Sequence, residues 1–162
     1  IERRDPRRIV RAMEVIELTG EPFGASKPPI DAPPRWGTRI LGLGTEAEWL
    51  NERIDRRSRM MFDQGLLGEV DELIGQGLRD GVTASRAIGY AQVLAHMDGE
   101  YDLDEAVERT ITGTRRYVRR QKSWFNRDPR VQWIDAAATG ANGVRGQALA
   151  ALEGPPPTPH QA

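Results

Sequence analysis

The segment TRRYVRRQKSWF, from Thr114 to Phe125, carries four arginines and one lysine on about three helical turns. The whole 162-residue chain has a formal net charge of only −1, so positive charge is concentrated here. The segment ends a predicted helix of about 24 residues that begins at Asp102 or Asp104, and this helix indicates a mostly α-helical chain. Basic residues complement the helix dipole only in the last turn, whereas the excess of basic residues, which extends from Arg109 to Arg130, covers about four turns of the helix. The excess favours a negatively charged partner.

One side of this helix is predicted to pack against the rest of the protein. Arginine holds a phosphate with two parallel hydrogen bonds and stacks on a nucleobase, and Trp124 adds a second stacking surface. The residues leave three interpretations open: a nucleic acid or phosphorylated ligand, a merely solvated helix face, or an acidic neighbouring domain. The packing stripe is predicted as Val107, Ile111, Thr114, Val118, Gln121 and Phe125, and the basic surface as Arg115, Arg116, Arg119, Arg120 and Lys122.

Composition limits the functional classes. With 38% apolar and 29% charged residues, the chain can bury a core, and its apolar runs are too short to cross a bilayer. The chain has no cysteine, which excludes disulfides and zinc ribbons and fits a cytoplasmic protein. Its two histidines, His96 and His160, are too far apart in sequence for a zinc site. Because the first residue is Ile1 rather than methionine, we expect an upstream part to be missing.

Local signals predict the remaining elements. Asp5-Pro6 begins a helix that Gly20 ends, and five prolines between residues 21 and 37 indicate a linker. Two short strands are predicted that need a sheet supplied by another segment. In chain order, the later predicted elements are a strand from Thr38 to Leu43, a helix opened by a Thr45–Glu48 capping box and ending at Gly65, helices Leu66–Ile74 and Ala84–Met97, the long helix, an edge strand Val131–Ile134, a helix Asn142–Leu152 and a disordered tail at 154–162.

No self-contained catalytic centre is visible. The run Gly42–Ala47 matches the glycine pattern of dinucleotide folds, but Glu46 and Glu48 at the start of the helix would repel a pyrophosphate. A simple strand-to-helix turn is the better interpretation. The sequence contains no G-x-x-x-x-G-K-[ST] loop and no Ser/His/Asp grouping. The carboxylate pairs Asp71-Glu72 and Asp104-Glu105 are predicted to be solvated surface residues.

Several motifs together resemble the C-terminal half of bacterial tRNA dimethylallyltransferases. The similar segments occur in the same order over about 130 of the 162 residues. They are Asp5–Val15, Arg53-Ile54 with Arg57 and Met61, Gly65-Leu-Leu67 with Glu69-Val70, Arg86–Tyr90 with Gln92, and Thr114-Arg115 followed by Arg119–Gln121 and Trp124-Phe125.

The resemblance implies an α/β enzyme of the P-loop NTPase type. Such an enzyme moves a dimethylallyl group from dimethylallyl diphosphate to N6 of adenosine 37 in a tRNA anticodon loop, with Mg²⁺. Its phosphate loop and general base would lie in the N-terminal half, so the present chain alone is expected to be inactive. Residues 1–20 would end an inserted tRNA-binding helical domain, 21–37 would be a linker, and 38–153 would complete the transferase core.

The resemblance also implies particular site residues. Arg57 is the candidate for binding the diphosphate of the donor, and its alternative role is an ion pair with Glu52 or Asp55 in the same helix. Ala91 stands where family members often have a basic residue, which puts one phosphate contact in doubt; Arg119 and Ser123 are conservative departures. The implied tRNA contacts are Arg7, Arg8, Ile9, Val10, Arg11, Arg86, Gly89, Tyr90, Arg115, Arg119, Arg120, Gln121 and Trp124.

The expected partner is therefore a tRNA anticodon stem-loop, without a DNA or membrane partner, and the complete enzyme is expected to be a monomer. Two other classes remain open at this point. The chain could be a helical RNA- or DNA-binding module without enzymatic activity, or an interaction domain whose basic helix docks on an acidic protein surface.

Overall fold

A computed structural model describes residues 5–24, 32, 36 and 38–154. The predicted tail at 155–162 and most of the predicted linker, at 25–31, 33–35 and 37, lie outside the described residues. Two short 3-10 helices, Leu78–Asp80 and Ala84–Arg86, lie near the middle of the chain. The main elements are α1 (Pro6–Thr19), β1 (Ile40–Gly44), α2 (Ala47–Asp63), α3 (Leu66–Gly75), α4 (Tyr90–Met97), α5 (Leu103–Phe125), β2 (Val131–Asp135) and α6 (Ala136–Glu153).

The helix α1 agrees with its sequence signals. The side chain of Asp5 accepts a hydrogen bond from the backbone N–H of Arg8 at 3.1 Å, and Pro6 occupies the first helical position. Gly20 ends the helix with φ +70°, a left-handed conformation that glycine adopts without steric cost. The predicted helix over residues 5–19 is confirmed.

The two predicted strands pair with one another. They form a parallel ladder from Ile40 opposite Val131 to Gly44 opposite Asp135, and α2 to α5 lie in the connection between them. Gly42 faces Trp133, and a Cβ atom on Gly42 would lie 2.7 Å from Cε3 of the indole. The glycine at this position therefore makes room for a cross-strand tryptophan, which supports the interpretation of this run as a strand-to-helix turn.

The predicted capping box at Thr45 is wrong. The helix α2 begins at Ala47 with Glu46 as its N-cap, and no side chain caps it. Glu46 has an extended backbone, with φ −60° and ψ 140°, so Thr45 lies one residue too early to reach the free N–H groups of the first turn. The Oγ1 atom of Thr45 is buried and has no hydrogen-bond partner among the described residues.

The predicted helix from Ala84 to Met97 is only half correct. Residues Ala84–Arg86 form a 3-10 helix, and the α-helix begins at Tyr90. Gly89 interrupts the segment because its φ of +98° is incompatible with helix geometry. Its backbone N–H donates to Oε1 of Gln92 at 2.8 Å, which fixes the start of α4.

The last predicted helix, Asn142–Leu152, falls in the second of two helical segments that make up α6, and a first segment precedes it. The side chain of Asp135 accepts hydrogen bonds from the N–H groups of Ala137 and Ala138, so α6 begins directly after β2. Gly140 has a non-helical backbone inside it and kinks the helix. No helix in the described ranges is long and apolar enough to span a membrane.

The hydrophobic core lies where α3, α4 and the first half of α5 meet the end of α2. Asp102 caps α5 as predicted, by accepting from the N–H of Glu105 at 2.9 Å. The predicted stripe is buried at Val107 and Ile111, but Gln121 and Phe125 farther along are exposed. They border a cavity of about 310 Å³ between α5 and the strands instead of a filled core. The core residues are Phe62, Leu66, Val70, Leu78, Val93, Leu94, Ala106, Val107 and Ile111.

Candidate anion-binding site

A cavity of about 580 Å³ lies between α2, α5 and the segment that precedes α4. These two helices pack in opposite directions, because Asp55 contacts Arg115 while Arg59, one turn later on α2, contacts Glu108, which is earlier on α5. The cavity is lined by Ile54, Arg57, Ser58, Met61, Arg86, Ala87, Ile88, Thr110, Thr114, Tyr117 and Arg120.

Three arginines from three separate segments meet at this cavity. Arg57 comes from α2, Arg86 from the 3-10 helix before α4, and Arg120 from α5. All three are exposed, and within the described part of the chain none has an ion-pair partner. The alternative role of Arg57 is not observed, since Asp55 pairs with Arg115 instead. Three uncompensated guanidinium groups around one cavity make it a site for an anion.

The remaining wall of the cavity is mostly apolar. Ile54 is buried there, and Met61 and Ile88 add further apolar surface. The hydroxyl of Thr110 donates to the backbone of its own helix at 2.8 Å, and Ser58 is buried. The arginines can bind the anionic group of a ligand and the apolar side chains can contact its hydrocarbon part, so the cavity suits an amphipathic ligand.

Arg115 lies at the junction of the two helices and does not line the cavity. Its guanidinium donates to Oδ1 of Asp55 at 2.6 Å and also to Oδ2, and both side chains are about one-third exposed, at 35% and 36%. Arg59 and Glu108 form a second, more exposed pair between the same helices, with both side chains 57% exposed. The role of Arg115 in RNA binding stays a prediction, and its visible contact holds α2 against α5.

The predicted segment Arg86–Tyr90 contributes one charged group and a constrained backbone. Arg86 lines the cavity, while Gly89 is buried with Leu66 close by. The hydroxyl of Tyr90 donates a hydrogen bond to Glu69, and this hydrogen bond raises the pKa of Tyr90 above its usual value. Tyr90 therefore anchors α4 to α3 in this structure.

The predicted contacts on α1 form a separate group. Arg8 pairs with Asp5 at 3.4 Å and Arg11 with Glu14 at 3.3 Å, and these side chains are exposed. Val10 is 55% exposed. None of the residues Arg7, Arg8, Ile9, Val10 and Arg11 lines the cavity.

The C-terminal half of α5 carries the unpaired charge. Residues 119–127 are all exposed, and Trp124 packs edge-on against Phe125 at a ring-centroid distance of 4.9 Å. The amide of Gln121 donates to the hydroxyl of Tyr117 at 3.3 Å. In the described part of the chain, the basic residues of this region without an ion pair are Arg116, Arg119, Arg120, Lys122 and Arg127.

Sequence reasoning did not identify Tyr117, Ser58 or Thr110 as site residues, whereas Ile88 lies inside the predicted segment Arg86–Tyr90. For Tyr117 a usable signal existed, since Tyr117, Arg120 and Trp124 are spaced i, i+3, i+7 and share one helix face. For Ser58 and Thr110 the signal is absent, because their place at the cavity depends on how α2, α5 and the 3-10 segment pack together.

Carboxylates do not gather into a metal site in the described ranges. No group of three or more histidine, cysteine, aspartate or glutamate side chains converges there. The donor set that Mg²⁺ prefers, several oxygens around one point, is therefore not formed by residues 5–24, 32, 36 and 38–154.

The described fold is mostly helical, with one parallel pair of strands and a cavity that three arginines line. The chain belongs to the IPP transferase family, whose model matches residues 1–128.

Two relatives named tRNA dimethylallyltransferase illustrate the similarity. The chain is 67% identical over 137 residues to the protein of Corynebacterium glutamicum strain R, a match that covers 85% of this chain and 46% of the relative. It is 63% identical over 136 residues to the protein of Nocardia farcinica, which covers 84% of this chain and 43% of the relative. The chain thus spans about half the length of the curated relatives that it matches.

Solved structures show the same similarity. The full-length tRNA isopentenylpyrophosphate transferase of Bacillus halodurans aligns with a TM-score of 0.60 and 34% identity, over 81% of this chain and 39% of that one. The tRNA delta(2)-isopentenylpyrophosphate transferase of Staphylococcus epidermidis aligns with a TM-score of 0.67 and 24% identity, over 90% of this chain and 48% of that one. The second match supports the fold alone.

Proposed function

We propose that the protein to which this chain contributes transfers a dimethylallyl group from dimethylallyl diphosphate to N6 of adenosine 37 in tRNA anticodon loops. The observation that carries the proposal is the convergence of the unpaired Arg57, Arg86 and Arg120 on one partly apolar cavity. Family membership and the names of the relatives support it.

The reaction sets clear chemical requirements. N6 of the adenine forms a bond to C1 of the prenyl group, the bond from C1 to the diphosphate oxygen breaks, and a base takes one proton from N6. Because N6 is a weak nucleophile, the negative charge that develops on the departing diphosphate must be stabilised. Arg57 is proposed for this role, while Ile54, Met61 and Ile88 would hold the apolar prenyl group.

Other groups of the reaction are proposed to come from outside this chain. The family resemblance supports a P-loop NTPase type of α/β core in the complete protein, with its phosphate loop, general base and Mg²⁺ ligands in the other half. On this proposal β1 and β2 belong to the central parallel sheet, residues 1–20 end an inserted helical domain, and the chain alone is inactive. A cytoplasmic monomer that binds tRNA, and neither DNA nor membranes, completes the proposal.

The proposal is tested with the complete product of the gene. Arg57→Ala is expected to lower kcat/KM for dimethylallyl diphosphate by about 100-fold, the order found when one charge-stabilising donor is removed. Arg53→Ala is the matched control: Arg53 lies one turn earlier on α2, its guanidinium is 4.6 Å from the Trp49 ring centroid, and it does not line the cavity.

Two results would contradict the proposal. Equal losses for the Arg57 and Arg53 variants would show that the cavity is not the donor site. An unsubstituted protein that binds the anticodon stem-loop but releases no diphosphate would instead support the non-enzymatic RNA-binding module.

A further inference from the structure

Tyr117 has an unusual environment for an aromatic residue of a packed helix. It lines the cavity between α2 and α5, called the main cavity from here on, yet its side chain is not part of the hydrophobic core. The residue is 47% exposed. Among the described residues that line this cavity, Tyr117 is the single aromatic one. Its hydroxyl accepts the hydrogen bond from Gln121, which restrains the phenol ring on the surface of α5.

Two neighbours of Tyr117 on α5 bear on the same cavity. Four residues earlier stands Gly113, where an added Cβ atom would be 3.5 Å from Cγ2 of Ile88, a residue that lines the cavity. Three residues after Tyr117 stands Arg120, which lines the same cavity without an ion-pair partner in the described part of the chain.

The proposed chemistry requires a surface of this kind. A base that is modified at its exocyclic nitrogen has to leave the stack of the RNA loop, and it loses the stacking energy of its neighbours. Proteins restore part of that energy with an aromatic plane, and a guanidinium adds a cation–π contribution. Arginines alone would hold the phosphates but would not orient the plane of the base.

We propose that the acceptor adenine stacks on the ring of Tyr117 beside Arg120, so that Tyr117 is a positioning residue for the base. This inference rests on the proposed function and names the place of the second substrate within the same cavity. On this arrangement the adenine lies against α5, and the diphosphate is held by Arg57 of α2, which lines the same cavity.

The test combines protein variants with two RNAs and is carried out on the complete gene product without donor. One RNA is an anticodon stem-loop with adenosine at the acceptor position, and the other is the same stem-loop with an abasic acceptor position. Tyr117→Leu is expected to weaken binding of the adenosine loop by about tenfold, the order of affinity that one base–aromatic stack provides. Binding of the abasic loop is expected to be unchanged.

Tyr117→Phe separates stacking from the hydroxyl contact. It retains the aromatic plane and loses the hydrogen bond from Gln121, so we expect it to bind the adenosine loop as the unsubstituted protein does. Circular dichroism of both variants checks that the exposed substitution leaves the fold intact.

Each other outcome overturns the inference. Equal weakening of both RNAs would assign Tyr117 a structural role, and equal weakening by Phe and Leu would assign the effect to the hydroxyl. A raised KM for dimethylallyl diphosphate with unchanged RNA binding would place the prenyl group on Tyr117. If the unsubstituted protein binds neither RNA, the proposed function itself fails, whereas normal transfer by Tyr117→Leu contradicts only the role of Tyr117.

Discussion

The guanidinium of Arg115 on α5 donates hydrogen bonds to both carboxylate oxygens of Asp55 on α2, across 60 positions of sequence. This is one of two ion pairs that join α2 and α5, the other being Arg59–Glu108. Arg57 lies two residues beyond Asp55 on α2 and Arg120 lies five residues beyond Arg115 on α5, so the pair joins the two helices that carry these cavity arginines.

Replacement of Asp55 by asparagine is expected to destabilise the protein by about 1–2 kcal/mol, because it leaves a charged group at a partly buried helix junction with a weakened partner. Urea unfolding of the variant measures this. Glu108→Gln, in the more exposed Arg59 pair, is the control and is expected to cost less than about 0.5 kcal/mol. A larger loss for the control than for Asp55→Asn would contradict the ranking.

Arg119→Ala is expected to weaken RNA binding without changing the KM for the prenyl donor. Arg119 is unpaired within the described residues and does not line the main cavity. If it contacts one phosphate, the slope of log binding constant against log salt concentration should become shallower by roughly 0.7. Arg79→Ala, which removes the same charge from a bidentate pair with Asp98, should leave the slope unchanged.

Two glycine-to-alanine substitutions should change stability in opposite directions. Gly89→Ala forces a Cβ into a backbone with φ +98°, and we expect a loss of about 1–3 kcal/mol. Gly68→Ala, inside α3 and with open space around its Cβ, should gain up to about 1 kcal/mol. Thermal unfolding measures the stability of both variants. A Gly89→Ala variant that is more stable than the unsubstituted protein would show that the positive φ at position 89 is not required.

The loop between α5 and β2 should make stability depend on acid pH. The Asp128 carboxylate accepts hydrogen bonds from the Arg130 side chain, and these bonds are the main reason that the pKa of Asp128 is lowered. The backbone N–H of Arg130 donates a further hydrogen bond to the same carboxylate at 3.0 Å. The stabilising contribution is therefore complete above the ordinary aspartate pKa of about 3.9 and disappears as the pH falls through the lower folded-state pKa.

Asp128→Asn tests this dependence, because asparagine does not titrate. The difference in unfolding free energy between the unsubstituted protein and the variant should be constant near neutral pH and shrink as the solution is acidified below about pH 4. Urea unfolding curves over this range measure it. A difference that grows on acidification would mean that the carboxyl group has a raised pKa instead.

Helix ends were predictable where a single nearby side chain fixes them. Asp5, Gly20 and Asp102 act on backbone groups within one turn, so the limits of α1 and the start of α5 follow from the sequence. The end of α2 and the limits of α3 were also close to the prediction. The predicted start of α4 was wrong because Gly89 has a φ of +98°, which the helical periodicity of the segment did not reveal.

The site was predictable in its charge and not in its shape. An unbalanced basic run indicates an anion without reference to any distant residue, and Arg57, Arg86 and Arg120 do share one cavity. By contrast, Asp55, the partner of Arg115, is 60 residues away in the sequence. The predicted packing of Phe125 was also wrong, because a cavity separates its side chain from the two strands. Such contacts depend on tertiary packing, which periodicity does not describe.

The close approach of Trp133 to Gly42 also has a consequence for the evolution of the family. A side chain larger than glycine at position 42 would collide with the indole ring and also with Val131, whose Cγ1 atom would lie 2.8 Å from the added Cβ. Position 42 should therefore stay glycine wherever both neighbours are kept, and loss of the tryptophan alone does not make room for a larger residue. The apparent cofactor fingerprint then records a steric requirement of the strand pair.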